Sequence, residues 1–379
     1  MVVLLVDALG WELANATPDF AAGLGCRRRL ETILGFSSGA LPTLFTGRMP
    51  AEHGRWLMYR RRSGDSPFRG FEWLRFLPPR IRESGRLSRR LTRLVAARGV
   101  RGYFHLYEVP RPLLARFDLP ERADVFAPGG LPVDSLWDSL GRRGVPWRGW
   151  NWRTPEAENF AALEQRVAEG DEPFLFCYTA DLDALLHREG SRGAGVRARL
   201  ERYDALLARL TAAAGRRGED LWIYLLSDHG MVDVHGTLDV AGALAELPFR
   251  WPQDYLVFLD STMARFWWKD GDARHAAHER LDRLGGGRWL DRAALARAGA
   301  PGDAGWGDEV FLVDPGRLIV PSFMGHSPLA GMHGYDPAHP DMAALLWSNR
   351  PIPDAVRGLT DVRAFFEAEL DQIEKEAAA

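Results

Sequence analysis

The chain of 379 residues has only two cysteines, Cys26 and Cys177, too few for a disulfide framework and without metal-type spacing. A reducing, cytoplasmic setting is the resulting expectation. Lysine is almost missing: Lys269 and Lys375 stand against 48 basic residues in all, the rest being arginine, a bias we read as genome composition. A strong net charge is also lacking, and the formal −3 gives no global reason to bind nucleic acid, so no nucleic-acid partner is expected. No apolar run approaches the roughly 18 residues of a membrane-spanning helix. The opening MVVLLVDALGW has no basic leader region, and Asp7 interrupts its apolar run, which makes it a first strand and not a signal peptide. Internal repeats and low-complexity tracts are absent as well.

With 46% hydrophobic and 26% charged residues, the composition is that of a packed globular chain. At 379 residues it exceeds what one core usually holds, so a main domain with a smaller subdomain or large insertions is expected.

Three short apolar runs, Val2–Val6, Phe174–Thr179 and Leu221–Leu226, lack the alternation of a half-exposed strand and fit strands covered on both faces. Helical patterns lie between them, as in Ala194–Ala213, where Val196, Leu200, Tyr203, Leu206, Leu207 and Leu210 recur at helical spacing. Strand and helix alternating in this way predict an α/β doubly wound domain. Residues 237–319 read as a small α+β cap, with strands in DYLVFLDSTMARFWW and DEVFLVDPGRLIVP and a helix around Ala273–Leu284. The catalytic core would then comprise residues 1–236 and 320–379, the chain returning through GMHGYDPAHPDMAALL. Within the core, residues 55–118 form an insertion with sixteen arginines against five acids and interleaved aromatics from Trp56 to Phe76. It reads either as a cationic wall for an anionic substrate or membrane surface, or as solvated helix faces.

Each apolar run is closely followed by aspartate: Asp7, then Asp181 and Asp183, then Asp228. In an open parallel sheet the carboxyl ends of the strands share one edge, where ligands bind. Carboxylates crowded there repel and raise one another's pKa, and a bound cation removes the difficulty. In SDHGM, Gly230 would allow the sharp turn that aims both Asp228 and His229 into the crevice. In DLDALLHREG, Asp183 and His187 stand at i and i+4 and would share a helix face, with Asp181 as the competing acid. His333 lies between glycines in GMHGYDP. Carboxylate and imidazole are ligands for zinc or manganese, and six such residues suffice for two ions with three protein ligands each. A nucleophile is offered by GFSSGALPTLFTGRMPAEHG, where Ser37 and Ser38 precede a helix whose first N–H groups favour an anion. One of these serines, Ser38 by preference, would serve as N-cap.

The ordered set Asp7, SSGALPTLFTGRMPAEHG, DALLHREG, SDHGM and MHGYD resembles the alkaline phosphatase superfamily, in particular its type I phosphodiesterase/nucleotide pyrophosphatase branch, and spans Asp7 to Asp336. The resemblance implies an alkaline-phosphatase-like fold. It implies two divalent ions, zinc first with manganese as the alternative, one held by Asp7, Ser37, Asp228 and His229 and the other by Asp183, His187 and His333. It places the nucleophile on Ser37, nine residues before Thr46, and implies a phosphoserine intermediate that a second-metal-activated water hydrolyses. A small-molecule phosphate ester or nucleotide-type substrate would follow. The chain departs from the branch pattern in carrying serine where threonine is usual, and Ala40 where an asparagine donor is expected three residues later. That contact would pass to the Ser38 backbone N–H or to an arginine of the insertion. The sulfatase signature is absent, since SSGAL has neither its proline nor its arginine, so Ser37 stays serine. A phosphomonoesterase is the runner-up, and a non-catalytic polyanion- or lipid-binding homologue the reading outside enzymes.

Overall fold

A computed structural model describes residues 1–218 and 220–378. Its centre is a six-stranded sheet ordered Cys26–Leu30, Ala344–Ser348, Ile223–Leu226, Val2–Val6, Phe174–Thr179, Trp147–Trp150. Val2–Val6 pairs in parallel with both Phe174–Thr179 and Ile223–Leu226, and Trp147–Trp150 extends the parallel set. Only Ala344–Ser348 runs the other way, antiparallel to both of its neighbours.

Along the first strand, Val3 and Leu5 join an apolar cluster with Leu44, Phe45 and Phe366, whereas Val2, Leu4 and Val6 join another with Leu163, Leu200 and Leu206. Alternate residues therefore meet helices on opposite faces, the reason these strands read as unbroken apolar runs. The helix expected at Ala194–Ala213 runs Ala194–Arg216, and its periodic residues are buried. The sheet is thus mostly parallel and doubly wound, as expected.

Register places the chemistry. Val6 pairs with Thr179 and Leu5 with Leu226, so Asp7 leaves the sheet beside Asp228, both at the carboxyl edge. Two strands carried no readable signal. Cys26–Leu30 holds three consecutive arginines with alternating exposure at the sheet edge, and Trp147–Trp150 has four residues with a central Arg-Gly. Their pairing comes from tertiary context.

Between residues 237 and 319, strands Tyr255–Leu259, Met263–Trp268, Glu309–Val313 and Gly287–Leu290 form an antiparallel sheet, and the helix there runs Gly271–Leu284. The basic insertion packs on this sheet: Tyr59, Phe68, Phe71, Leu91 and Phe117 share a core with Val257, Phe266 and Phe311. The aromatics of the insertion divide accordingly. Trp56, Tyr59, Phe68 and Phe71 are buried, whereas Trp73 and Phe76 are exposed.

Arg265 ties the two parts together. Fully buried, it donates through Nε to Asp260 Oδ2 at 2.8 Å and through Nη1 to the Tyr59 carbonyl at 2.8 Å. Removing one partner of a buried ion pair costs more than the pair itself contributes, because the other charge stays desolvated. Asp260→Ala is therefore expected to lower stability by about 3–5 kcal/mol. Urea unfolding reads it, and an unchanged midpoint would show that Arg265 does not need its carboxylate.

Candidate metal centre

At the carboxyl edge, Asp7 follows the first strand and is buried. Its Oδ2 accepts from the Tyr178 hydroxyl at 2.5 Å, and its Oδ1 faces His229 Nε2 at 3.4 Å and Ser37 Oγ at 3.5 Å. Asp228 Oδ1 accepts from the amides of His229 at 3.1 Å and Ala8 at 3.4 Å. Its Oδ2 lies 3.2 Å from His229 Nε2 and receives no hydrogen bond.

The imidazoles are oriented by carbonyls. His229 Nδ1 lies 3.0 Å from the Gly230 carbonyl and His187 Nδ1 lies 2.9 Å from the Gly331 carbonyl. A carbonyl only accepts, so Nδ1 carries a proton in each ring and Nε2 is the atom that faces inward. That arrangement is the usual second-sphere support of a metal-binding histidine. For His229 the inward Nε2 meets two carboxylate oxygens and Ser37 Oγ, which lies 2.9 Å from it.

The helix Asp181–Glu189 brings Asp183 and His187 together, with Nε2 to Oδ1 at 3.3 Å. His333 arrives from a turn fixed by the Gly331–Met332 strand, which pairs antiparallel with Val232–Asp233 and so joins the MHG loop to the SDHG loop. His333 Nε2 is 3.6 Å from Asp183 Oδ1, and its ring stacks on that of His229 at 3.9 Å. Asp183 Oδ1 and His333 Nδ1 are buried without a hydrogen-bond partner. Asp181 faces away, half exposed and paired with Arg199 at 3.0 Å.

Two sets of ligand atoms result, Asp7 with Asp228 and His229, and Asp183 with His187 and His333, the atoms in each lying within 4.8 Å of one another. Burial, then the charges of Asp228 and Asp183, push the Asp7 carboxyl well above its ordinary value, and burial also raises Asp228. Burial would raise Asp183 too, but the His187, His333 and His229 imidazoles together hold it low. His333 is pushed well below the imidazole range by burial and the neighbouring His229 ring. Ligand atoms converge on two points, and Asp228 Oδ2, Asp183 Oδ1 and His333 Nδ1 among them have no hydrogen-bond partner. The donor set fits divalent cations.

Ser37 is the first residue of the helix Ser37–Thr46, after Phe36 in extended conformation. Phe36 packs edge-on against His333 at 5.4 Å. Gly35 has φ 132°, and a Cβ there would lie 2.9 Å from Trp56 Nε1. The expected N-cap role of Ser38 is corrected: Phe36 holds the cap position, and Ser38 Oγ bonds the Trp56 carbonyl at 3.2 Å. Ala40 is buried in the apolar cluster that holds Leu44 and Phe45. Gly230 is needed because its surroundings leave no room for a side chain. Its φ is not positive, and a Cβ there would fall 2.1 Å from the Asp341 carbonyl oxygen. Tyr178 was not foreseen. The signal lay in the two hydroxyls, Tyr178 and Thr179, that end the otherwise apolar FLFCYT strand.

The sequence profile of type I phosphodiesterase / nucleotide pyrophosphatase matches residues 1–336. Among curated proteins no match is found. Among solved structures, human ectonucleotide pyrophosphatase/phosphodiesterase 5 aligns at 13% identity over 98% of this chain and 94% of its own, with a TM-score of 0.67. The murine protein aligns at 14% identity over 98% and 95%, TM-score 0.68. An inactive murine variant in complex with AMP aligns at 15% identity over 98% and 94%, TM-score 0.67. At these identities the likeness establishes the fold.

A carboxyl raised in the folded state takes up protons on folding, so its contribution to stability falls as pH rises from the unfolded value near 3.9 through the folded one. Asp7→Asn removes that cost and keeps an acceptor for Tyr178. In chelator-treated protein the variant should be more stable than the parent at pH 8 by on the order of 1–3 kcal/mol, the gap closing towards pH 4. Thermal melts at both pH values measure it, and a less stable variant at pH 8 would show that Asp7 is not a strained charge.

Proposed function

The chain belongs to the type I phosphodiesterase/nucleotide pyrophosphatase family, and from that premise we propose that it hydrolyses phosphate diesters or pyrophosphates through Ser37. The observation that carries this reading is the hydroxyl of Ser37 held 2.9 Å from His229 Nε2 at the meeting point of buried, uncompensated ligand atoms. Asp7, Asp228 and His229, with Ser37, would hold one divalent ion, and Asp183, His187 and His333 the other, zinc first and manganese as the alternative. When bound, these ions supply Lewis-acid charge to the attacking, leaving and non-bridging oxygens.

The chain's own part is positional. Ser37 Oγ lies among lone pairs, so it gives up its proton only when that cluster carries balancing positive charge. Ser37 Oγ then attacks phosphorus in line, the bond to the leaving oxygen breaks and that oxygen departs with the proton Ser37 gave up, and water cleaves the phosphoserine, its oxygen going to phosphorus and one of its protons back to Ser37 Oγ. The first N–H groups of the Ser37–Thr46 helix have no intrahelical partner, and the Ser38 N–H is the donor we assign to a phosphoryl oxygen. Tyr178 fixes the Asp7 carboxylate, and the His229–His333 stack fixes the distance between the two ligand sets.

A phosphomonoesterase would want a cationic clamp for a dianion. The match to the type I phosphodiesterase / nucleotide pyrophosphatase family supports the diester over the monoester. The intact ligand sets and Ser37 together support an enzyme over a binding homologue. Unpaired Cys26 and Cys177 support a reducing, cytoplasmic location.

Ser37→Ala should lower turnover of bis-p-nitrophenyl phosphate by on the order of 10³-fold or more while the bound metal stays near two ions per chain. Asp228→Ala and His333→Ala should each lose about one ion by elemental analysis. Full activity in Ser37→Ala would place the nucleophile elsewhere, and a faster rate on p-nitrophenyl phosphate than on the diester would reverse the preferred substrate class.

A further inference from the structure

Of the seven large apolar side chains exposed among the described residues, four fall in one short stretch: Trp73 at 47%, Phe76 at 73%, Ile81 at 53% and Leu94 at 42%. Two of the other three, Tyr103 and Trp152, pack edge to face on each other at 5.3 Å. A lone exposed apolar residue needs no explanation, but a group gathered in one segment does.

The same stretch is basic. Residues 71–97 carry seven arginines and only two acids, Glu72 and Glu83. Both acids are engaged, Glu72 with Arg62 at 3.5 Å and Glu83 with Arg82 at 2.9 Å. On the helix Gly85–Ala97, Arg86, Arg89, Arg90 and Arg93 recur at the spacing of one face, opposite the buried Leu91 and Val95. None of these four has an ion-pair partner among the described residues. Arg75 lies over the Phe76 ring at 4.7 Å and lines a cleft of about 520 Å³ whose walls also include Arg61, Arg116 and Lys269.

The segment has a fixed base. Phe71, Leu74, Leu91 and Val95 sit in the core shared with the antiparallel sheet, and Arg111 Nη2 bonds Ser88 Oγ at 2.9 Å. Its exposed residues are therefore held out by packed structure. A soluble polyanion would use the arginines but not a three-quarters-exposed phenylalanine. A surface with phosphate outside and hydrocarbon beneath uses both.

We propose that residues 71–94 form a docking surface for an anionic lipid bilayer. Trp73, Phe76, Ile81 and Leu94 enter the boundary between headgroups and acyl chains, and the arginine face of Gly85–Ala97 meets the lipid phosphates. The surface is separate from Ser37 and the two ligand sets, and stands whatever the substrate.

Co-sedimentation of the full chain with vesicles of phosphatidylcholine containing about 30% phosphatidylserine tests it, against pure phosphatidylcholine vesicles. Binding to the anionic vesicles should exceed binding to the neutral ones by about tenfold or more, and should fall steeply between about 0.1 and 0.5 M salt. Trp73→Ser/Phe76→Ser and, separately, Arg86→Ser/Arg89→Ser/Arg93→Ser should each weaken it by about tenfold or more, with turnover of a soluble diester unchanged. No vesicle binding by the parent chain, or parental binding by the Trp73/Phe76 variant, overturns the proposal. So does heparin binding without vesicle binding, which would assign the arginines to a soluble polyanion. Self-association lost in the Trp73/Phe76 variant, again without vesicle binding, would assign the patch to a second copy of the chain and overturns it equally.

Discussion

Carboxylates and imidazole lone pairs removed from water and aimed at a common point repel one another, and the fold gathers two such sets side by side. Asp7, Asp228 and His229 are almost wholly buried, and Asp228 Oδ2 has no donor to satisfy it. A protein core does not keep such an arrangement for stability, since each uncompensated group costs more than an apolar replacement. The parallel sheet makes the convergence unavoidable. Its strands end on one edge, and the register sets Asp7 beside Asp228 whatever follows them.

Around that edge, much of the sequence serves to restrict movement. Carbonyls of Gly230 and Gly331 set the tautomers of His229 and His187, Thr32 Oγ1 holds the Asp228 carbonyl at 2.7 Å, and Trp56 closes over the start of the serine helix. The antiparallel sheet and the basic insertion form a second body of structure with its own core, joined through Arg265. Packed side chains in the insertion leave Arg86, Arg89, Arg90 and Arg93 to the solvent side, while Arg111 is buried within it.

The strands and helices with a clear hydrophobic period were legible, as were the residues now grouped at the sheet edge, because both signals are local: apolar runs ended by acids, and Asp183 with His187 one turn apart. What was not legible depends on partners distant in the chain. Cys26–Leu30 is a strand only because Ala344–Ser348 lies beside it. Tyr178 matters only because Asp7 is opposite, and Ser38 turns to Trp56 where a helix cap was expected. Gly230 was read as permitting a turn, and nothing in SDHGM discloses the Asp341 carbonyl that crowds it.

The position of Ala344–Ser348 bears on the order of synthesis. This strand lies between Cys26–Leu30 and Ile223–Leu226, so those two strands stay unjoined until the chain has been made as far as Ser348. The Ser227 amide bonds the Leu345 carbonyl at 3.0 Å, and His333 precedes that strand in the chain. Both ligand sets are therefore complete only once the chain has been made as far as His333 and the strand that follows it.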